Sequence, residues 1–148
     1  MIYHWFLGED DSSFQDAMMI RKKVFVEEQN VPLELEVDGL DPKMWQVVGY
    51  KSEFPVATAR MSLQTSQPTP TYKVQRVAVI KNYRGQNIGH QLMNQIEEKI
   101  KNLGGQKIVL SAQDQALEFY YKLGYQLTNP LGYLDAGIPH HDLAKDLF

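Results

Sequence analysis

Between Tyr72 and Ala112 the sequence spells out one supersecondary unit from end to end. A strand-like run, Tyr72 to Ile80, closes on the apolar residues Val77-Ala78-Val79-Ile80. The polar stretch Lys81-Asn82-Tyr83-Arg84-Gly85-Gln86-Asn87-Ile88-Gly89 follows as a turn that opens a helix. Ile88, Leu92, Met93, Ile96, Ile100 and Leu103 recur at helical spacing and form one apolar stripe. Gly104-Gly105 stops that helix, and Lys107 to Ala112 is a compact buried strand. A strand–helix–strand unit of this kind is a parallel, right-handed crossover.

The flanking sequence supplies the other elements. Ile2 to Leu7 reads as a short first strand, and Asp10-Asp11-Ser12-Ser13 is a cluster of N-cap residues. Phe14, Ala17, Met18, Arg21 and Phe25 predict a helix running to about Glu27. Glu28 to Pro42 lacks periodicity, carries five carboxylates and is expected to be a loop with one short helical turn. Gln46 to Lys51 and Val56 to Leu63 flank Ser52-Glu53-Phe54-Pro55 as a hairpin. Asp114 caps a short helix through Ala116, Phe119, Tyr120 and Leu123, which Gly124 ends. Tyr125 to Thr128 and His141 to Leu147 are expected as final strands, joined by a loop containing Gly132, Gly137 and Pro139. Helices that join strands of one sheet imply an α/β layered fold with mixed strand directions. At 148 residues the chain is expected to form a single domain, residues 1–148.

Composition removes several classes of function. The balance of 15 Lys+Arg against 18 Asp+Glu gives a net charge of −3, which argues against nucleic-acid binding. With no cysteine there are no disulfides, no Cys-ligated zinc or iron–sulfur cluster and no thiol nucleophile. No metal site is expected, because the adjacent His140-His141 cannot act as a helical i, i+4 pair. The acidic start lacks a signal-peptide pattern, and no stretch approaches the roughly 20 apolar residues of a membrane span. No membrane partner is expected, and the default expectation is a cytoplasmic protein.

Two features can carry chemistry. A helix beginning at Arg84-Gly85-Gln86-Asn87-Ile88-Gly89 aims unpaired N–H groups and the positive end of its dipole at one spot, an anion site. Gly85 and Gly89 admit a phosphate close to the main chain, and Asn87 tolerates the left-handed conformation. The plainer alternative is a tight turn with glycine for packing only. The second feature is Ala116-x-x-Phe119-Tyr120-Tyr121-x-x-Gly124-Tyr125. A tyrosine hydroxyl here can protonate a leaving group such as a thiolate, whereas Phe119 reads as core.

Together these features resemble the GCN5-related N-acetyltransferase (GNAT) superfamily. Its acyl-CoA motif, Gln/Arg-x-x-Gly-x-Gly/Ala, is matched by Arg84-x-x-Asn87-x-Gly89 after Val77-Ala78-Val79, with Asn87 where glycine is usual. Its later motif, Asn-x-x-Ala-x-x-Phe-Tyr-x-x-x-Gly-Phe, is matched from Gln113 to Tyr125, with Gln113 for Asn and Tyr125 for Phe. Arg21 to Pro32, then Glu36-x-Asp38-x-x-Asp41 and Gly137-Ile138-Pro139-His140, resemble the ElaA-like/YjcF-like subgroup. The resemblance implies a mixed, mostly antiparallel central sheet with a parallel splayed strand pair, flanked by helices.

The resemblance also implies an acetyl-CoA-dependent N-acetyltransferase, without an acyl-enzyme, acting on a primary amine of a small molecule such as an amino sugar or polyamine. Acetyl-CoA is then the co-substrate. The backbone at Val77, Ala78 and Val79 would pair with the pantetheine arm, and one of its N–H groups would face the thioester oxygen. N–H groups from Gly85, Gln86, Asn87, Ile88, Gly89 and His90 would hold the pyrophosphate, with Arg84 adding charge. Gln113 would bond the pantetheine amide, and Tyr120 rather than Tyr121 falls at the general-acid position. The base is open among Glu28, Glu36, Asp38 and His140, imidazoles as a class titrating in the right range. Glu36 and Asp38 alternatively attract a cationic acceptor, and Arg21 and Arg60 read equally as ion-pair partners or anion ligands. Dimers are common in the family, so the resemblance implies a homodimer. The competing readings are a non-catalytic acyl-CoA-binding sensor or partner module, and a nucleotide-phosphate binder outside the family.

Overall fold

In the computed structural model, which describes residues 1–148, the Asp11 carboxylate accepts a hydrogen bond from the Ser13 N–H at 2.9 Å. The Asp11 carbonyl accepts from Phe14 N–H at 3.0 Å, so the predicted capping cluster starts the first helix. The chain gathers into two units, each built from two stretches: Met1–Ser62 with Arg76–Ile96, and Leu63–Gln75 with Glu97–Phe148.

The first unit contains β1 (Ile2–Leu7), α1 (Ser13–Arg21), α2 (Leu33–Glu36), β2 (Trp45–Lys51) and most of β3 (Phe54–Gln64). It also holds the end of β4 (Thr71–Val79) and the start of α3 (Ile88–Asn102). β1 pairs antiparallel with β2, and β2 with β3. Ala17, Ile20, Arg21 and Val24 are the buried positions around α1, one residue round from the predicted stripe, in which Met18 and Phe25 are only half-buried. Ala17, Ile20 and Val24 pack with Phe6, Val48 and Ala78 as the core of this unit. Each large aliphatic or aromatic side chain fully buried there contributes about 1.5–3 kcal/mol.

Two local geometries depart from the sequence pattern. The first helix does not run on as α-helix to Glu27 but widens into seven residues of π-helix, Lys22–Glu28. The β2–β3 connection is tighter than the predicted four-residue turn: only Ser52 (φ +48°) and Glu53 (φ +70°) lie between the strands, and Lys51 pairs with Phe54. Two successive left-handed residues match the twist of a two-residue hairpin.

The second unit contains β5 (Lys107–Gln113), α4 (Leu117–Lys122), β6 (Gln126–Leu127), β7 (Tyr133–Asp135) and β8 (Ile138–Asp146). Thr71–Val74 of β4 run parallel to Lys107–Leu110 of β5, the two ends of the predicted crossover. β8 pairs antiparallel with β5, β6 and β7. The sheet is therefore mixed and mostly antiparallel, with one parallel pair, as expected. α3 ends where Gly104 (φ +87°) turns left-handed, with Gly105 N–H bonding the Ile100 carbonyl at 2.8 Å. α4 ends the same way: Tyr125 N–H bonds the Tyr120 carbonyl at 3.1 Å, and the two rings meet edge to face. The last strand begins earlier than predicted, at Ile138, because Ala136 and Gly137 (φ +51° and +75°) fold the predicted loop into a hairpin with β7. No helix is long and apolar enough to cross a membrane.

Candidate active site

In the first unit, β4 carries a left-handed residue, Arg76 (φ +57°), just before Val77-Ala78-Val79. A short 3-10 turn, Lys81–Tyr83, then leads to Gly85 (φ +79°) and Asn87 (φ +65°). Asn87 thus adopts the conformation that glycine adopts most readily, and the turn keeps its shape with asparagine in place. A Cβ on Gly85 would meet nothing within 4 Å, so glycine is required there by backbone conformation and not by crowding. Ile88 anchors the start of α3 in the core, and Gln91 N–H closes the first turn on the Asn87 carbonyl at 3.1 Å. The N–H groups of Ile88, Gly89 and His90 precede that first bond and stay outside the helical ladder.

Side chains from elsewhere in the unit converge on this turn. Arg84 Nε donates to the Val79 carbonyl at 2.9 Å, and its two terminal nitrogens donate to Glu28 at 2.5 and 2.9 Å. The Arg84 hydrogen bonds hold the Glu28 carboxyl below its ordinary range. Glu28 is thereby a counter-ion of Arg84 and a poor proton acceptor. Lys51, at the end of β2, donates to the Gln86 side-chain oxygen at 2.5 Å.

The acidic loop is not solvated as a whole. Arg21, Glu36, Asp41 and Arg60 are each 1–2 % exposed. Arg21 donates to Glu36 at 2.7 Å and to Asp41 at 2.8 Å. Arg60 donates to Asp38 at 2.6 and 3.0 Å and to Asp41 at 3.1 Å. Arg76 donates to Glu36 at 2.9 Å and reaches Asp38 at 3.4 Å. The Arg60 hydrogen bonds hold Asp38 down at about 2. Burial opposes ionisation of Asp41, but the Arg21 and Gln46 hydrogen bonds win and lower it. Three guanidiniums therefore meet three carboxylates. Of the two carboxylates expected at the acceptor, Glu36 is a buried partner of Arg21 and Arg76, as a buried carboxylate must be paired, and the exposed Asp38 is a partner of Arg60 and Arg76. Arg21 and Arg60 take the ion-pair role of their two alternatives.

In the second unit, Gln113 and His140 stand opposite each other in the β5–β8 register. His140 Nδ1 lies 2.6 Å from the Ile138 carbonyl. A carbonyl only accepts, so Nδ1 carries a hydrogen and Nε2 is the ring nitrogen left for proton exchange. His140 also stacks on Tyr133, whose hydroxyl bridges Ser111 and Asp142. Its neighbour His141 is turned to Asp114 at 2.5 Å. Tyr120 is buried between Phe119 and Tyr125, while Tyr121 is exposed. Burial raises the Tyr120 phenol well above its ordinary value.

Lys51, Arg76 and Tyr133 are the contacts that local pattern does not single out. Each acts on residues far away in sequence, and none belongs to a motif.

The family model described as an acetyltransferase (GNAT) domain matches residues 17–147. This chain belongs to the GNAT acetyltransferase family. Among its relatives, the uncharacterized N-acetyltransferase YjcF of Bacillus subtilis is 35% identical over 140 residues, covering 95% of this chain and 97% of that protein. The crystal structure of Escherichia coli ElaA superposes with a TM-score of 0.80 at 28% identity, covering 97% of this chain and 99% of that one. An aminoglycoside 6'-N-acetyltransferase, solved in complex with coenzyme A, shares the fold at a TM-score of 0.76 and 17% identity, covering 100% of this chain and 98% of its own. The GNAT resemblance drawn from Arg84–Gly89 and Gln113–Tyr125, including its ElaA-like and YjcF-like character, is thus confirmed, and the chain is an acyltransferase by family.

Proposed function

We propose that this GNAT protein transfers an acetyl group from acetyl-CoA directly to the primary amine of a small molecule. The observation that carries the reading is the turn opening α3, where left-handed Gly85 and Asn87 leave a run of N–H groups outside the helical ladder. That turn fits a pyrophosphate, and the N–H groups from Gly85 to His90 would hold it. The backbone of Val77, Ala78 and Val79 would take the pantetheine arm as an added strand, with Gln113 on its amide. When bound, acetyl-CoA supplies an activated acyl group on sulfur.

Tyr120 enters the reaction protonated, since burial lifts its phenol. The same shift moves it away from a match with a thiol, so its first contribution is a hydrogen bond to the sulfur as charge develops. Its proton then follows to the leaving thiolate. The lone pair on His140 Nε2 accepts the proton that the ammonium must lose before attack. One carbon–nitrogen bond forms and one carbon–sulfur bond breaks; of the two protons the ammonium loses on becoming an amide, one leaves through His140 to water and the other replaces the proton that Tyr120 passes to sulfur. Glu28, Glu36 and Asp38 are spent on arginines, so charge attraction from the acidic loop no longer argues for a polycationic acceptor.

The test begins with calorimetric titration of acetyl-CoA, followed by thiol release across a panel of amines. The chain has no cysteine, so it adds no thiol background. Tyr120→Phe should bind acetyl-CoA within about twofold of wild type yet lose turnover by roughly 10²-fold or more. Turnover unchanged in that variant would remove Tyr120 from the reaction. Binding without turnover on any amine would favour an acyl-CoA-binding module.

A further inference from the structure

The turn that opens α3 is short of free positive charge. Arg84, the cation its motif supplies, is fully engaged: Nε on the Val79 carbonyl and both terminal nitrogens on Glu28. Lys81 also acts on that same Glu28. One further cation reaches the turn from another strand. Lys51 sits on the side-chain oxygen of Gln86, a neutral amide, and forms no ion pair. Gln86 lies between the two left-handed residues, Gly85 and Asn87, at the centre of the turn.

The delivery of Lys51 is built into the hairpin. Ser52 and Glu53 are both left-handed, so the connection has no slack and Lys51 is fixed in register with Phe54. An exposed lysine has no intrinsic reason to hold a neutral amide, because such a contact gains little in water. Beside a phosphate the balance changes, since an ammonium–phosphate hydrogen bond is charge-assisted. We infer that Lys51 is a ligand for a phosphate group of acyl-CoA, supplying the charge that Arg84 cannot supply while Glu28 holds it. The inference rests on the acetyl-CoA reading above and adds to it a residue outside the family motif.

Calorimetric titration tests it. At low ionic strength Lys51→Ala should weaken acetyl-CoA binding about five- to tenfold, Lys51→Arg should restore most of the loss, and Lys101→Ala, which removes another exposed lysine, should change little. The penalty should shrink as salt is added. Repeating the titration with 3′-dephospho-CoA locates the contact: a penalty that persists places Lys51 on the pyrophosphate, and one that vanishes places it on the 3′-phosphate. Both outcomes uphold the inference. Lys51→Ala binding acetyl-CoA within twofold of wild type would overturn it alone, whereas wild-type protein that binds no acetyl-CoA would overturn the cofactor reading with it.

Discussion

Arg84 and Glu28, separated by 56 positions in the chain, are joined by two parallel hydrogen bonds while the same guanidinium caps the carbonyl of Val79. Glu28 therefore competes with any anion for Arg84. Glu28→Gln should tighten acetyl-CoA binding about threefold to tenfold by releasing the guanidinium and removing a negative charge beside the turn. Its kcat should stay within about threefold of wild type. A loss of turnover of 10²-fold with acetyl-CoA affinity unchanged would instead make Glu28 the base.

The loop carboxylates predict an acid-sensitive component of stability. Asp38 titrates near 2 in the folded chain because of Arg60, against an ordinary value of 3.8. A lowered folded-state value means stability that is present above the unfolded-state value and lost as pH falls through the folded one. Because Asp38 is largely exposed, solvent screening leaves it a contribution of about 1 kcal/mol or less near neutrality, and that contribution disappears between about pH 4 and pH 2. Urea unfolding of wild type and Asp38→Asn across this window should give curves that converge at the acid end. Parallel curves would remove the assignment.

Arg21 is the central guanidinium of the buried cluster. Arg21→Met should cost about 3–5 kcal/mol, because Glu36 and Asp41 would each lose a partner with no route to water. A loss below about 1 kcal/mol in chemical denaturation would mean that Arg60 and Arg76 alone suffice to hold the two carboxylates.

Asn87 sits where the family motif usually has glycine, at φ +65°. Asn87→Gly should leave stability within about 0.5 kcal/mol and acetyl-CoA affinity within twofold. Asn87→Ala should cost about 1 kcal/mol, the left-handed penalty of an ordinary side chain. Equal stability for all three proteins would show that the turn relaxes.

The legible and illegible parts divide along a physical line. The crossover from Tyr72 to Ala112 reads directly because its determinants are local: an apolar stripe, two stop glycines and an asparagine suited to a left-handed turn. The motif residues Arg84 and Tyr120 stand at fixed offsets from those elements, so the family was visible as well. The pairing of Arg21, Arg60 and Arg76 with Glu36, Asp38 and Asp41 was not. Local pattern cannot tell a solvated carboxylate from a buried one whose partner lies up to 40 residues away. The same limit hid Lys51. Arg76 in the left-handed region and the widening of the first helix at Lys22 run against the ordinary preferences of those residues, which is all that local pattern can read.

The division of the chain into Met1–Ser62 with Arg76–Ile96, and Leu63–Gln75 with Glu97–Phe148, has a consequence for biosynthesis. A ribosome that has just added Ile96 has made every residue of the first unit but only one short stretch of the second. At about 5–20 residues per second, Glu97–Phe148 take roughly three to ten seconds more. The nascent chain therefore carries a complete acidic-loop cluster and a complete α3 turn before the strand bearing His140 exists.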